Sequence, residues 1–192
     1  MRILRAADHR VMPWKNGGGT TTEIAAHPDG SDLAGFGWRV SMASVAADGP
    51  FSLFPGIDRT LAVLEGEGIH LAVDGQGVRR LTRASAPHPF PADAAASAAL
   101  VAGPILDLNV MTRRGVHTHG VERRRIEDVV PICFTALWTL LLPRGPVRAE
   151  PVDGRAIGLD AGDALVAEHG EADIRLSAAS LVDVFVVAID PA

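Results

Sequence analysis

Residues 59–78, RTLAVLEGEGIHLAVDGQGV, decide the fold class. Arg59–Leu64 and Ile69–Val73 are short runs of aliphatic and β-branched residues, each closed by glycine, and Asp74-Gly75 is a favoured two-residue hairpin turn. The stretch therefore reads as strand, glycine turn, strand, hairpin. Upstream, Trp38–Val45 alternates with period 2: Trp38, Val40 and Met42 on one side, Arg39, Ser41 and Ala43 on the other. Downstream, Ile105–Arg113 sends Leu108 and Val110 one way and Asp107, Asn109, Met111 and Arg113 the other, a polar row that we read as facing a pocket. Ser85–Asp93 carries three prolines and reads as irregular. Ala94–Leu100 suits helix or strand, and its context favours strand. The second half repeats the style, with a long apolar run at Val129–Leu142, a turn at Asp153-Gly154, a strand–turn–strand at 158–176 and a closing strand at Leu181–Ile189. Short strands at near-regular spacing, with almost no 3.6-residue period, predict an all-β sandwich or barrel.

The stretch 12–24, MPWKNGGGTTTEI, stands apart. Three consecutive glycines lose much conformational freedom on folding, so the backbone there needs positive φ or a close approach. Two readings stay open. In one, the amides of Asn16, Gly17, Gly18, Gly19 and Thr20 form an anion nest with Lys15 as a mobile charge. In the other, Asn16-Gly17 is a hairpin turn and the remaining glycines relieve crowding. It is not a nucleotide-hydrolase phosphate loop, because the lysine precedes the glycines and threonines that favour a strand follow them.

With 192 residues, 47% of them hydrophobic, the chain can bury one large core or two small ones. A net charge of -5 and a pI near 5.8 argue against a nucleic-acid partner, and the arginines at 113, 114, 123, 124 and 125 read as a solvated turn and strand end. No apolar run is long enough to span a membrane, at about 18 residues. The segment MRILRAADHR puts charges where a signal peptide needs an apolar core, so a cytoplasmic location is expected. Cys133 is the only cysteine, which rules out an intrachain disulfide and a cysteine zinc site. Within apolar PICFTALW it reads as an inert thiol. No nucleophile-elbow pattern is present.

PWKNGGGTTTEIA, then GWRVSMASVAADGPFSLFPGIDRTLAVLEGEGI, then DLNVMTRRG, in that order, resemble the HutD/Ves family of bacterial proteins across nearly the whole chain. The resemblance implies a double cupin, two small jelly-roll-like β-barrels packed in one unit. We place them at 1–103 and 104–192, with strand exchange between them allowed. It also implies a role in histidine utilisation, as a governor that senses a pathway intermediate, or, for Ves members, in stress response. Its blocks carry over Lys15, Asn16, the glycines, Arg59, Asn109 and Arg113 as binding positions. The expected partner is a small anionic metabolite such as urocanate or formylglutamate, with no cofactor and with binding rather than catalysis as the output; a homodimer is allowed. Arg59 is expected to be the principal carboxylate partner, with Asn109 orienting and Lys15 closing over. The competing reading pairs Arg59 with Asp58 or Asp107 to hold the fold.

A metal cupin would present His-x-His and a glutamate before its glycine turn, and FPGIDRTLAVLEGEG has no histidine. The alternative, a metal-dependent dioxygenase or isomerase, would use His117, His119 and Glu122, which have metal-like spacing in what reads as an exposed loop. His70 and His88 read as packing or rim residues, and Trp14 and Trp38 as core.

Overall fold

The computed structural model describes residues 1–192 except Asn16 and Asp153. Among the described residues it contains strands, one 3₁₀ turn (Ala6–Asp8) and no α-helix. The strands of the first half are β1 (Arg2–Leu4), β2 (Arg10–Pro13), β3 (Gly19–His27), β4 (Trp38–Val45), β5 (Gly49–Pro50), β6 (Ile57–Glu65), β7 (Ile69–Val73), β8 (Gly77–Leu81), β9 (His88–Pro91) and β10 (Ala96–Leu100). Those that follow are β11 (Ile105–Arg113), β12 (His117–Ile126), β13 (Val130–Ile132), β14 (Trp138–Pro143), β15 (Val147–Pro151), β16 (Ile157–Leu159), β17 (Ala164–Glu168), β18 (Ile174–Ser177) and β19 (Val182–Pro191). No helix among these residues is long and apolar enough to cross a membrane.

Two compact units form, Arg10–Thr118 with Ala192, and Met1–His9 with His119–Pro191. The division expected after residue 103 falls instead at Thr118, because β11 is the central strand of the first unit, paired with β4 on one side and β6 on the other. Strand β1 belongs to the second unit, where it pairs with β17.

The first unit has a six-stranded sheet, β2-β3-β4-β11-β6-β9, and a four-stranded sheet, β5-β10-β7-β8. Ala43, Val45, Leu61, Val63 and Ile105 of the first sheet pack with Ile69, Leu71, Val73, Leu81, Ala96 and Ala98 of the second. The strand period of 2 then fixes the rest of that inner face: Arg39 and Ser41 lie on it with Ala43, Arg59 with Leu61, and Asp107, Asn109 and Met111 with Ile105. The second unit pairs β1-β17-β14-β19-β12 with β13-β18-β15-β16. Its interior is apolar, built from residues such as Leu141, Leu165, Ile174, Leu176 and Val184.

Two local expectations change, one holds and one falls outside the described residues. The proline-rich 85–93 segment contains β9, tolerated because it is the sheet edge, where a missing N–H costs no ladder bond. Ala96–Leu100 is a strand. The apolar run 129–142 is two strands, β13 and β14, and Cys133 between them is exposed. The turn placed at Asp153-Gly154 includes a residue outside those described.

Candidate functional site

The polar residues on the inner face of the first unit fall into three cross-strand rows. Thr21, Ala43, Asp107 and Val63 form one, and Glu23, Ser41, Asn109 and Leu61 the next. In the third, Met111 stands between Arg39 on β4 and Arg59 on β6, with Phe90 of β9 beyond Arg59. The two arginines are two strands apart, about 10 Å between Cα atoms. Both are buried, at 5% and 6% exposure, as are Ser41, Asp107 and Asn109.

Arg39 donates from Nε to Glu23 at 2.7 Å and from Nη1 to the Ser41 hydroxyl at 3.4 Å. Arg59 donates from Nε to Asn109 Oδ1 at 2.8 Å and also from Nη2 to the same oxygen. Asn109 Nδ2 in turn donates to Asp107 Oδ1. The Arg59 guanidinium lies 4.3 Å from the ring centre of Phe51 and 5.5 Å from that of Phe90, cation–π contacts that strengthen where water is excluded. Its Nη1, like Arg39 Nη2, makes no hydrogen bond among the described residues.

Burial lowers the pKa of Arg59 to about 10, Asp107 partly compensating, so the guanidinium stays charged at neutral pH. Burial pushes Asp107 up to about 6 against the pull of Arg59 and of the Asn109 hydrogen bond. Asp107 Oδ2 has no hydrogen-bond partner among the described residues, and the Ala43 backbone also pulls the pKa down.

Of the residues expected at a site, the structure brings Arg59 and Asn109 together. Of the two competing partners for Arg59, Asp58 is taken by Arg114 at 2.7 Å, while Asp107 is joined to Arg59 through Asn109 and attracted by its charge. Arg113 donates instead to the carbonyls of Ala34 and Phe36, at 2.7 and 3.2 Å. Asn16 lies outside the described residues, and Lys15 is exposed on the β2–β3 connection. Strands β2 and β3 pair antiparallel on either side of these glycines. The Gly17 amide donates to the Trp14 carbonyl, Trp14 N–H donates to Gly19, and Gly18 accepts from Ala46, so the Gly17 amide is already engaged. Gly17 has φ of +71°, and a Cβ on Gly19 would lie 2.2 Å from the Ser44 carbonyl oxygen. Thr20 pairs with Ser44 on the outer face, opposite to Thr21 and Glu23.

His117, His119 and Glu122 lie on strand β12, not in a loop. The alternation that puts the histidines on one side puts Glu122 on the other, where it accepts from Arg124 at 3.0 Å. Among the described residues no cluster of three His, Cys, Asp or Glu is placed to hold a metal. The His117 ring instead meets His27 edge-on, and His27 stacks on Trp38. His88 stacks on Phe90, and His70 is exposed.

Glu23, Arg39, Ser41 and Asp107 were not singled out by the sequence as binding residues. Period-2 alternation had already put Arg39 and Ser41 on one face and Asp107 beside Asn109; which face was interior needed the sheet pairing.

The HutD family model matches residues 6–184. An uncharacterized 21.2 kDa protein in the hutC 3' region of Pseudomonas putida is 44% identical over 111 residues, 58% of this chain and 57% of that one; the chain thus spans little more than half of that curated relative. A conserved protein of unknown function from Pseudomonas aeruginosa PAO1 superposes with a TM-score of 0.90 at 38% identity, covering 98% of both chains. HutD from Pseudomonas fluorescens SBW25, solved in a formate condition, gives 0.82 at 31% identity over 100% of this chain and 98% of that one. A cupin 2 conserved barrel domain protein from Leptotrichia buccalis, 9% identical with a TM-score of 0.60 over 88% of each chain, shows the same fold.

Proposed function

The chain belongs to the HutD family and has its double-cupin fold, and from that premise we propose that the first barrel binds a small carboxylate-bearing metabolite and that occupancy, rather than turnover, is its output. The observation that carries this is Arg59, a buried guanidinium with no ion pair among the described residues, held by a neutral amide and two aromatic faces. A buried charge without a direct ion pair costs folding free energy, which the Asp107 charge beyond Asn109 offsets only in part. Arg59 also keeps an unused terminal donor in the fork geometry that matches carboxylates. Arg39 is already neutralised by Glu23, so it shapes the field around the ligand while Arg59 takes the anion.

Family membership and the hutC neighbourhood of the Pseudomonas putida relative favour histidine-degradation acids, urocanate and formylglutamate, as the ligands, and a regulatory role in that pathway. A thermal-shift screen against these acids tests the reading. A ligand at about 100 times its dissociation constant adds roughly 2.7 kcal/mol of stability. Absence of any shift across pathway carboxylates, at concentrations to the millimolar range, would overturn it.

A further inference from the structure

Asp107 Oδ2 is the other open end of the chain of hydrogen bonds that begins at Arg59. The sequence of contacts is Arg59 to Asn109 to Asp107 Oδ1, and it leaves a donor unused at one terminus and an acceptor unused at the other. Its direct neighbours in the row give Asp107 no side-chain donor. Its neighbours across the strands are Ala43 on β4 and Val63 on β6, both buried and both apolar. The β6–β11 register shifts between Leu106 and Asp107, the kind of irregularity that re-aims a side chain within a ladder. A fold that needed Asp107 only to orient Asn109 would be served by one oxygen, and a second buried oxygen ordinarily has a hydrogen bond of its own. Here the carboxylate is 0% exposed and shares its face with Arg59.

Building on the carboxylate reading above, we infer that the ligand is bifunctional: a carboxylate that meets Arg59, and at its far end an N–H or O–H donor that meets Asp107 Oδ2. The Asp107 and Asn109 rows are two residues apart, about 7 Å along the strand, and the Arg59 side chain reaches back to Asn109. The space between the two open ends therefore matches a molecule a few bonds long, such as an imidazole or amide joined to a carboxylate through two or three atoms. A plain monocarboxylate fills only half of this pattern. Burying it would leave Asp107 unpaired and bring its negative charge toward a second one.

Matched probe pairs test the inference on the full chain by titration calorimetry at pH 7.5. Urocanate, which carries a ring N–H, is compared with cinnamate, which has the same acrylate and a ring without a donor. N-Formylglutamate is compared with its N-methyl derivative, which lacks the amide N–H. The donor member of at least one pair should bind at least tenfold more tightly. Apolar burial favours cinnamate and the methylated compound, so the expected order runs against hydrophobicity. Asp107→Asn should reduce that ratio to twofold or less, because it removes the acceptor that favours the donor member and the charge that disfavours the donor-free one. Equal affinities within both pairs for the wild-type protein would overturn the donor requirement and leave the carboxylate at Arg59 standing. A ratio that survives Asp107→Asn would place the acceptor elsewhere and overturn the assignment to Asp107. If none of the four carboxylates binds, this inference and the proposed function fall together. The wild-type comparison decides even if the variant does not fold.

Discussion

Arg59 gives two N–H donors, from Nε and Nη2, to the single oxygen Oδ1 of Asn109 on the neighbouring strand. That geometry fixes the guanidinium plane and turns its remaining edge away from the amide, so the arginine is at once a structural partner and a presented charge. Arg59→Lys separates the two roles. Lysine keeps the charge but offers no planar fork, and Asn109, 3% exposed, loses a charge-assisted hydrogen bond. Ligand-free stability should fall by about 1–3 kcal/mol, and carboxylate affinity by at least tenfold. Arg124→Lys, at an exposed arginine paired only with Glu122, should change neither. A lowered melting temperature with unchanged affinity would assign Arg59 to the fold alone.

Asp107 makes stability depend on pH in an unusual direction. Its folded pKa of about 6 lies above the ordinary 3.8, so between those values the folded state holds the proton more tightly than the unfolded chain. The unfolded state therefore binds fewer protons in that window, and stability falls as pH rises through it. The full effect corresponds to about 3 kcal/mol. Ligand-free Asp107→Asn should lack this contribution, so the difference in melting temperature, variant minus wild type, should grow as pH rises from 4 to 7. A difference that stays flat across that range would show that Asp107 titrates near its ordinary value.

The fold was legible because its signals are local. Asp74-Gly75 turns the β7–β8 hairpin as its dipeptide suggests, and alternation in Trp38–Val45 and Ile105–Arg113 gives the faces that the structure shows. Arg59 and Asn109 were legible as candidates through the family's sequence blocks and the strand period, and their side chains meet. Glu23 was not, because its tie to Arg39 depends on the β3–β4 register, which includes a shift between Glu23 and Ala25; no window of sequence contains that. Arg113 misled for the opposite reason. It shares the period of Asn109, but it sits at the strand's last residue, where the loop carbonyls of Ala34 and Phe36 come within reach. The unit boundary was not legible because the pairing of β11 with β4 and β6 is a long-range fact.

The glycines of the β2–β3 hairpin should differ in what they tolerate. Gly17 is left-handed at +71° with nothing within 4 Å of an added Cβ, so Gly17→Ala should cost about 1–2 kcal/mol through backbone strain alone. At Gly19 the added carbon would lie 2.2 Å from the Ser44 carbonyl and 3.0 Å from the Trp14 ring. Strand β3 would have to move away from β4, so Gly19→Ala should cost more than Gly17→Ala. Urea melts of the two variants measure this; equal losses would mean that the β3 edge relaxes freely.

Asp163 should hold the amino-terminal segment in the second unit through its charge. Its Oδ1 accepts from the Ala6 amide at 2.9 Å, and its Oδ2 from Arg5 Nη1 at 2.6 Å and the Asp160 amide at 3.0 Å. Burial alone would raise its pKa, but these donors outweigh it and hold the carboxyl below its usual range. A depressed carboxylate stabilises the fold above its unfolded pKa, near 4, and that stabilisation is lost as pH falls through the folded value. Asp163→Asn sets an amide N–H against backbone or arginine donors and should cost about 2–4 kcal/mol at pH 7. Hydrogen exchange should then rise first in β1 and β17, the pair this segment joins. The gap between wild type and variant should narrow as the pH drops below 4. Because Asp107 is present in both proteins, its own titration cancels from the difference. A gap that persists unchanged in acid would mean that Asp163 acts through shape and not charge.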